Sequence, residues 1–180
     1  MSQDRWLLYR PTEGPEGSKK WSTPRNVHLD MNPWAFLADE PGVYERLAAL
    51  RYADLRDFVR ENNDVALGMG RSIQCIVNFA DNRAEDGGTI VIPGSHKFLR
   101  NYFSRLPPQI EGNGSFKLDN NEKELQKRAE RVPMKEGSVL FWDRRVLHGS
   151  EPNASENTRY AMPVGFFKRR DGDAERMAHR

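Results

Sequence analysis

Apolar and polar positions alternate most regularly over 72–79. Ile73, Cys75, Val77 and Phe79 share one side and Gln74, Ile76 and Asn78 the other, which is the period of a β-strand. The first side reads as a core face. The second is mixed: it could meet water, but if the sheet closes into a barrel it lines the interior, where two amides need a ligand to satisfy them. The run at 158–167 alternates in the same way, with Tyr160, Met162, Val164 and Phe166 on a core face and Arg159, Ala161, Pro163 and Gly165 opposite. A guanidinium followed by small side chains is what a pocket for an anionic ligand requires. Shorter strand-like runs lie at 5–9, 25–30, 89–92 and 139–142, separated by turns rich in Pro, Gly, Asn and charge. Val43, Leu47, Leu50, Leu55, Phe58 and Val59 recur at helical spacing, predicting an amphipathic helix over 43–60. A second, charged helical stretch around 122–128 falls within an irregular excursion from 101 to 131. The pattern is that of a β-rich chain with flanking helices.

The length of 180 residues fits one domain with a real core. Lys and Arg number 28 against 26 for Asp and Glu, a formal charge of +2, which gives no electrostatic footprint for nucleic acid and favours a small-molecule partner. The single cysteine, Cys75, sits in an apolar run and reads as a reduced core residue. The first residues are charged and no apolar run of membrane-spanning length follows, so neither a signal peptide nor a membrane partner is expected. The last three residues do not match the peroxisomal address. A cytoplasmic location is the expectation, and the charged tail at 168–180 reads as frayed.

Candidate chemistry centres on Arg25-Asn26-Val27-His28-Leu29-Asp30. His28 and Asp30, two apart in a strand-like segment, point to one face. They can supply two ligands of the 2-His-1-carboxylate triad that holds non-haem Fe(II) with positions left open. The chain has four histidines, and of these His148, in Val146-Leu147-His148-Gly149-Ser150, is the best placed to be the third ligand. Arg159 follows it by eleven residues. Taken singly, a His and an Asp near a strand end also fit a solvated pair, and Arg159 also fits a surface ion pair. Trp34 and Phe36, just beyond Asp30, offer either core rings or a substrate wall.

Three stretches in this order, His28-Leu29-Asp30, then Gly87-Gly88-Thr89-Ile90-Val91-Ile92-Pro93-Gly94-Ser95-His96, then His148-Gly149-Ser150 with Asn153 and Arg159, resemble the phytanoyl-CoA dioxygenase-like family of Fe(II)/2-oxoglutarate oxygenases. The likeness runs from about Trp21 to Phe167. It implies a double-stranded β-helix, a jelly-roll or cupin-like barrel with helices packed outside, and Fe(II) held by His28, Asp30 and His148. It implies 2-oxoglutarate as co-substrate, its distal carboxylate paired with Arg159 and hydrogen-bonded by Ser150, with O2 as the oxidant and ascorbate stimulatory. Thr89 and Arg25 match positions that touch the co-substrate in similar proteins, although an uncharged residue is expected where Arg25 stands. A substrate contact or a surface ion pair is an alternative role for that arginine. Of the two strand amides, Gln74 is assigned to the co-substrate, and Asn78, with Trp34 and Phe36, to the substrate.

The activity implied is hydroxylation of an unidentified small molecule coupled to conversion of 2-oxoglutarate to succinate and CO2. Asp30 fills the position that related halogenases leave to chloride, so hydroxylation is expected over halogenation. His96 is expected to tie a turn rather than bind metal, and His179 to be solvated in the tail. Arg100, Arg105, Arg144 and Arg145 could meet an anionic substrate or simply be solvated. Similar proteins carry more N-terminal helical buttress than the roughly twenty residues found here, which keeps open a non-catalytic barrel with a binding or scaffold role. A missing buttress would expose apolar sheet surface, predicting dimerisation or low stability; a monomer or a homodimer is expected.

Overall fold

The alternating run around Gln74 becomes an inner strand of one of two facing antiparallel sheets. The computed structural model describes residues 2–3, 5–34, 73–107, 115–119 and 121–166. The predicted helix at 43–60, Phe36 and the tail at 168–180 with His179 lie outside the described residues. The strands are β1 (Ser2–Gln3), β2 (Leu7–Tyr9), β3 (Asn26–Leu29), β4 (Ile73–Asn78), β5 (Gly88–Val91), β6 (Phe116–Lys117), β7 (Glu130–Arg131), β8 (Val139–Asp143), β9 (His148–Glu151) and β10 (Arg159–Phe166). Two short helices, α1 (Leu99–Phe103) and α2 (Lys123–Lys127), join them. One five-stranded sheet runs β1-β10-β4-β8, with β2 also paired to β10, and the other runs β6-β3-β9-β5-β7. From β8 to β9 to β10 the chain passes from one sheet to the other and back, the path of a double-stranded β-helix. Among the described residues no helix is long and apolar enough to cross a membrane.

Strand β3 shows how the pattern sets orientation. Val27 and Leu29 are buried on the outer side of their sheet, in one cluster with Ile90, Ile92, Leu118, Leu147 and, from α1, Leu99 and Phe103. Period two then turns Asn26 and His28 to the inner side. A one-residue slip would expose Val27 and Leu29, at a cost of about 3–6 kcal/mol for two apolar side chains, and would turn His28 outward. Gly149 lets β9 approach β3: a Cβ there would lie 1.8 Å from the Asn26 carbonyl oxygen. The other end of the interior is filled by Ile76, Met134, Trp142 and Ala161, with Leu140 against them.

One open alternative about faces closes and one expectation changes. Gln74, Ile76 and Asn78 are all buried, so the mixed side of β4 is an inner wall. On the opposite sides, Phe79 is 39% exposed and Tyr160 45% exposed, so neither supposed core face is covered along its full length. Trp6, 4.9 Å from Phe79 between ring centroids, packs beside it on that outer surface. The helix α1 and the two-residue strands β1, β6 and β7 were not expected, because such short elements hold too few side chains to show a period.

A polar knot joins β2, the turn before β5 and the loop between β9 and β10. Asn153 Nδ2 donates to the carbonyls of Tyr9 (3.2 Å), Arg10 (3.1 Å) and Asn157 (2.5 Å). Buried Asp86 accepts from the Arg83 N–H (2.7 Å), Ser155 Oγ (2.8 Å) and Asn157 Nδ2 (3.0 Å). Burial pushes the Asp86 carboxyl up, but the bonds from Asn157, the Arg83 amide and Ser155 together hold it below its ordinary 3.8. A depressed folded-state pKa gives stability that is present above 3.8 and lost as pH falls below it. Asp86→Asn is therefore expected to lower Tm at pH 7 and to flatten the fall in Tm between pH 5 and pH 3, measured by thermal melts across that range. An unchanged acid limb would remove Asp86 from the knot.

Candidate active site

Two of the three candidate ligands stand opposite each other on neighbouring strands, since β3 pairs with β9 so that His28 faces His148. Their ring centroids are 4.6 Å apart. Asp30 follows the end of β3, and its carboxylate oxygens lie 3.4 Å from His28 Nε2 and 3.4 Å from His148 Nε2. One donor atom from each of the three falls within 4.8 Å of the others, a set that could hold a metal ion. The far side of each ring is tethered: His148 Nδ1 lies 2.9 Å from the Val146 carbonyl and His28 Nδ1 lies 3.0 Å from Asn26 Oδ1. A carbonyl oxygen can only accept, so Nδ1 carries the proton and Nε2 turns its lone pair to the shared point.

Asp30 is held at both ends. Arg144 donates through Nε (3.1 Å) and Nη2 (2.8 Å) to its backbone carbonyl. Gln74 Nε2 donates to Oδ2 at 2.6 Å, and Trp142 Nε1 in turn donates to Gln74 Oε1 at 3.2 Å. The neighbouring His148 ring, and then the His28 ring, hold the Asp30 carboxyl far below the usual carboxylate range, against partial burial that pushes it up. The carboxylate is thus ionised wherever a divalent ion could bind.

A cavity of about 200 Å³ opens beside the triad, lined by Gln74, Thr89 and Ser150 and, from the N-terminal segment, by Arg5, Leu7 and Tyr9. Behind its Thr89 wall lies Arg159, 1% exposed, donating through Nη2 to Thr89 Oγ1 at 3.1 Å. Its Nε and Nη1 are buried without a hydrogen-bond partner. Burial pushes this guanidinium down from its ordinary range, and Tyr9 opposes that shift. A second guanidinium, Arg131, lies nearby: a Cβ on Gly88 would fall 2.7 Å from Arg131 Nη2 and 3.0 Å from Arg159 Nε, which is why only glycine fits between them. Burial first, and the Arg159 charge second, push Arg131 down to about 10. Its Nη2 donates to Asn82 Oδ1 at 2.5 Å and to the Arg83 carbonyl at 2.9 Å.

Several expected site residues are placed elsewhere. Arg25 does not line the cavity: its Nε pairs with Glu151 at 3.0 Å and its Nη2 donates to the Gln126 carbonyl, so the surface ion pair describes it. Asn78 is fully buried and spends its amide on the carbonyls of Ala80, Met134 and Lys135, tying a turn. Trp34 packs edge-on against Phe103 (5.2 Å) and Phe116 (5.9 Å) and belongs to the core. Gln74 lines the cavity, but both ends of its amide are engaged by Asp30 and Trp142. Arg145 is buried against Asp143, donating to it at 2.8 Å, and Arg144 holds the Asp30 backbone. In the turn of Ser95–Lys97, Ser95 Oγ accepts from the Leu147 amide at 2.8 Å, one residue before His148.

Tyr9, Asn26 and Trp142 are the contributors that sequence reasoning passed over. The first two carried a signal: Asn26 is two residues before His28 on the same face, and Leu7 and Tyr9 share one side of β2. Cys75 also touches the cavity, but burial pushes its thiol up to about 11, far from a reactive thiolate.

The family model described as phytanoyl-CoA dioxygenase (PhyH) matches residues 56–161, a stretch that holds His148 and Arg159 and begins after His28 and Asp30. The "Putative phytanoyl-CoA dioxygenase" of Dictyostelium discoideum is 35% identical over 180 residues, covering 100% of this chain and 50% of that protein. The "Phytanoyl-CoA dioxygenase domain-containing protein 1 homolog" of the same organism is 30% identical over 95 residues, 52% of this chain and 34% of that protein. The chain thus spans half or less of the length of these curated relatives. Among solved structures, the "Putative Oxidoreductase from Salmonella typhimurium LT2" superposes with a TM-score of 0.58 at 12% identity, over 92% of this chain and 44% of that one, a likeness of fold. The chain belongs to the phytanoyl-CoA dioxygenase family.

Proposed function

We propose that this chain is an Fe(II)- and 2-oxoglutarate-dependent dioxygenase that hydroxylates a small molecule, with His28, Asp30 and His148 as the iron ligands. The observation that carries the reading is the convergence of two tethered imidazoles and one ionised carboxylate at one point of a cavity, with a buried, incompletely partnered guanidinium behind the adjacent wall.

The donor set fits the metal. Two imidazole nitrogens and one carboxylate oxygen would hold Fe(II) and leave positions for other ligands, the donor set of non-haem oxygenases. One negative charge against a divalent ion leaves a net positive centre that attracts a dianionic chelate. The co-substrate fits as well: Arg159 Nε and Nη1 are buried polar groups in want of an acceptor, and a carboxylate supplies two oxygens to a planar guanidinium. Bound iron would supply dioxygen activation coupled to decarboxylation of 2-oxoglutarate to succinate and CO2, with the second oxygen atom delivered to a C–H bond of the substrate. The protein's own part is to hold, orient and exclude. Gln74 and Arg144 fix the Asp30 carboxylate and backbone, Asn26 and Val146 fix the rings, and Thr89 and Ser150 present hydroxyls to the co-substrate end of the cavity.

Three outcomes follow. His148→Ala and Asp30→Ala should abolish the rise in Tm that anaerobic Fe(II) with 2-oxoglutarate gives the wild type, a gain of about 2.7 kcal/mol at a hundred times Kd, and should abolish succinate release. Full retention of either signal would remove that residue from the ligand set. Arg159→Met should raise the KM for 2-oxoglutarate by about thirtyfold or more, since a buried charge pair loses one partner; steady-state succinate release measures this, and an unchanged KM would disconnect Arg159 from the co-substrate. Gln74→Leu should weaken Fe(II) binding by roughly 10–100-fold through the loosened Asp30, read by metal titration, while leaving the KM for 2-oxoglutarate at saturating iron within about threefold. The opposite split would make Gln74 a co-substrate contact.

A further inference from the structure

We propose that Tyr9 is a specificity residue that measures the length of the 2-oxo diacid, a role that rests on the reading of Arg159 given above. Strand β2 lies beside β10 with Tyr9 opposite Arg159. The Asn153 amide holds the Tyr9 and Arg10 carbonyls, so the phenol is presented from an anchored backbone. Its ring covers one face of the Arg159 guanidinium, whose central carbon lies 5.0 Å from the ring centroid. Its hydroxyl donates to Ser150 Oγ at 3.2 Å. Tyr9, Thr89 and Ser150 all belong to the cavity wall, and Arg159 is buried next to them.

A guanidinium with one face under an aromatic ring offers an acceptor its edge, where Nε and Nη1 lack partners. A carboxylate that reaches this edge from the cavity arrives at the joined hydroxyls of Tyr9 and Ser150. The exchange is favourable: Tyr9 gives up the one neutral bond of 3.2 Å and donates instead to a charged oxygen, and Ser150, which only accepts in that bond, can donate to it as well. The height of this pair sets a length. His148 and Ser150 are two residues apart on the inner face of β9, a rise of about 6–7 Å. That rise suits a diacid whose 2-oxo acid end is held at the triad while a two-carbon spacer carries its second carboxylate to Ser150. A four-carbon acid stops short of the hydroxyl pair, and a six-carbon acid runs into the phenol ring.

The test is calorimetric titration of the full 180-residue chain, loaded anaerobically with Fe(II), with oxaloacetate, 2-oxoglutarate and 2-oxoadipate. The wild type is expected to bind the five-carbon acid most tightly. Tyr9→Phe should weaken 2-oxoglutarate by roughly three- to tenfold, the loss of one hydrogen bond. Tyr9→Ala should lower the ratio of the 2-oxoadipate to the 2-oxoglutarate Kd by about tenfold or more, because the pocket gains depth. Equal weakening for all three acids would reduce Tyr9 to a packing residue and overturn the proposal, as would wild-type affinities in both variants. If Tyr9→Ala fails to fold, an unchanged 2-oxoglutarate Kd in Tyr9→Phe is enough to overturn it. Arg159→Met, run alongside, separates the two readings. Loss of 2-oxoglutarate binding in that variant with unaltered Tyr9 variants sinks only the role of Tyr9, whereas retained binding sinks the docking of the diacid on Arg159 itself.

Discussion

The site depends on one antiparallel ladder, the pairing of β3 with β9 that puts His28 opposite His148. Nothing else in the described chain brings the two imidazoles within 4.6 Å, and the ladder holds its register because of what lies on its other side. Val27, Leu29 and Leu147 are buried in the outer cluster, and losing them to solvent costs more than any single hydrogen bond in the site contributes. The apolar residues between the polar ones therefore decide where the polar ones point. Gly149 completes the arrangement, because any side chain there would collide with the Asn26 backbone and part the strands that carry the ligands.

Around this ladder the protein concentrates charge of opposite sign at two places. At one, an ionised Asp30 faces two imidazoles, a centre fitted for a cation. At the other, Arg159 and Arg131 are buried close enough for each charge to oppose the other, with Gly88 between them. Arg131 donates through both Nη atoms to carbonyl and amide oxygens and leaves Nε without a partner, while Arg159 is left with two unpartnered nitrogens. Buried like charges cost stability, and a chain that keeps them is under standing strain that an anionic ligand would relieve. The two centres are joined through β9, which carries His148 toward one and Ser150 toward the other.

Much of this was legible along the chain. Period two in 72–79 and 158–167 marked the strands that became β4 and β10 and put Arg159 on a face of small residues. The i, i+2 spacing of His28 and Asp30 placed them on a common side. Those inferences work because a strand's side-chain direction is local, set by the backbone two residues at a time. The same logic was available for Tyr9, on one face with Leu7, but nothing in the chain says which strand an edge segment will join. Gln74 shows the limit from the other side: its strand was clear, yet an amide's partners lie across the barrel, and it turned out to hold Asp30 and Trp142. Arg25 and Trp34 stand close to the triad in sequence and outside its cavity in space, since a strand end turns away within two or three residues.

By itself, then, the amino-acid order determined where the longer strands lie, which of their side chains share a face, and that a His, an Asp, a second His and an Arg were available for one chemistry. Only the tertiary structure decided that the two histidines stand opposite each other, that Arg159 is buried beside Arg131, and that Tyr9 from the first strands covers its guanidinium. Periodicity is a property of neighbouring peptide units and survives in any register; the meeting of distant side chains depends on which strands pair. That is set by the burial of apolar faces that no single segment can complete alone.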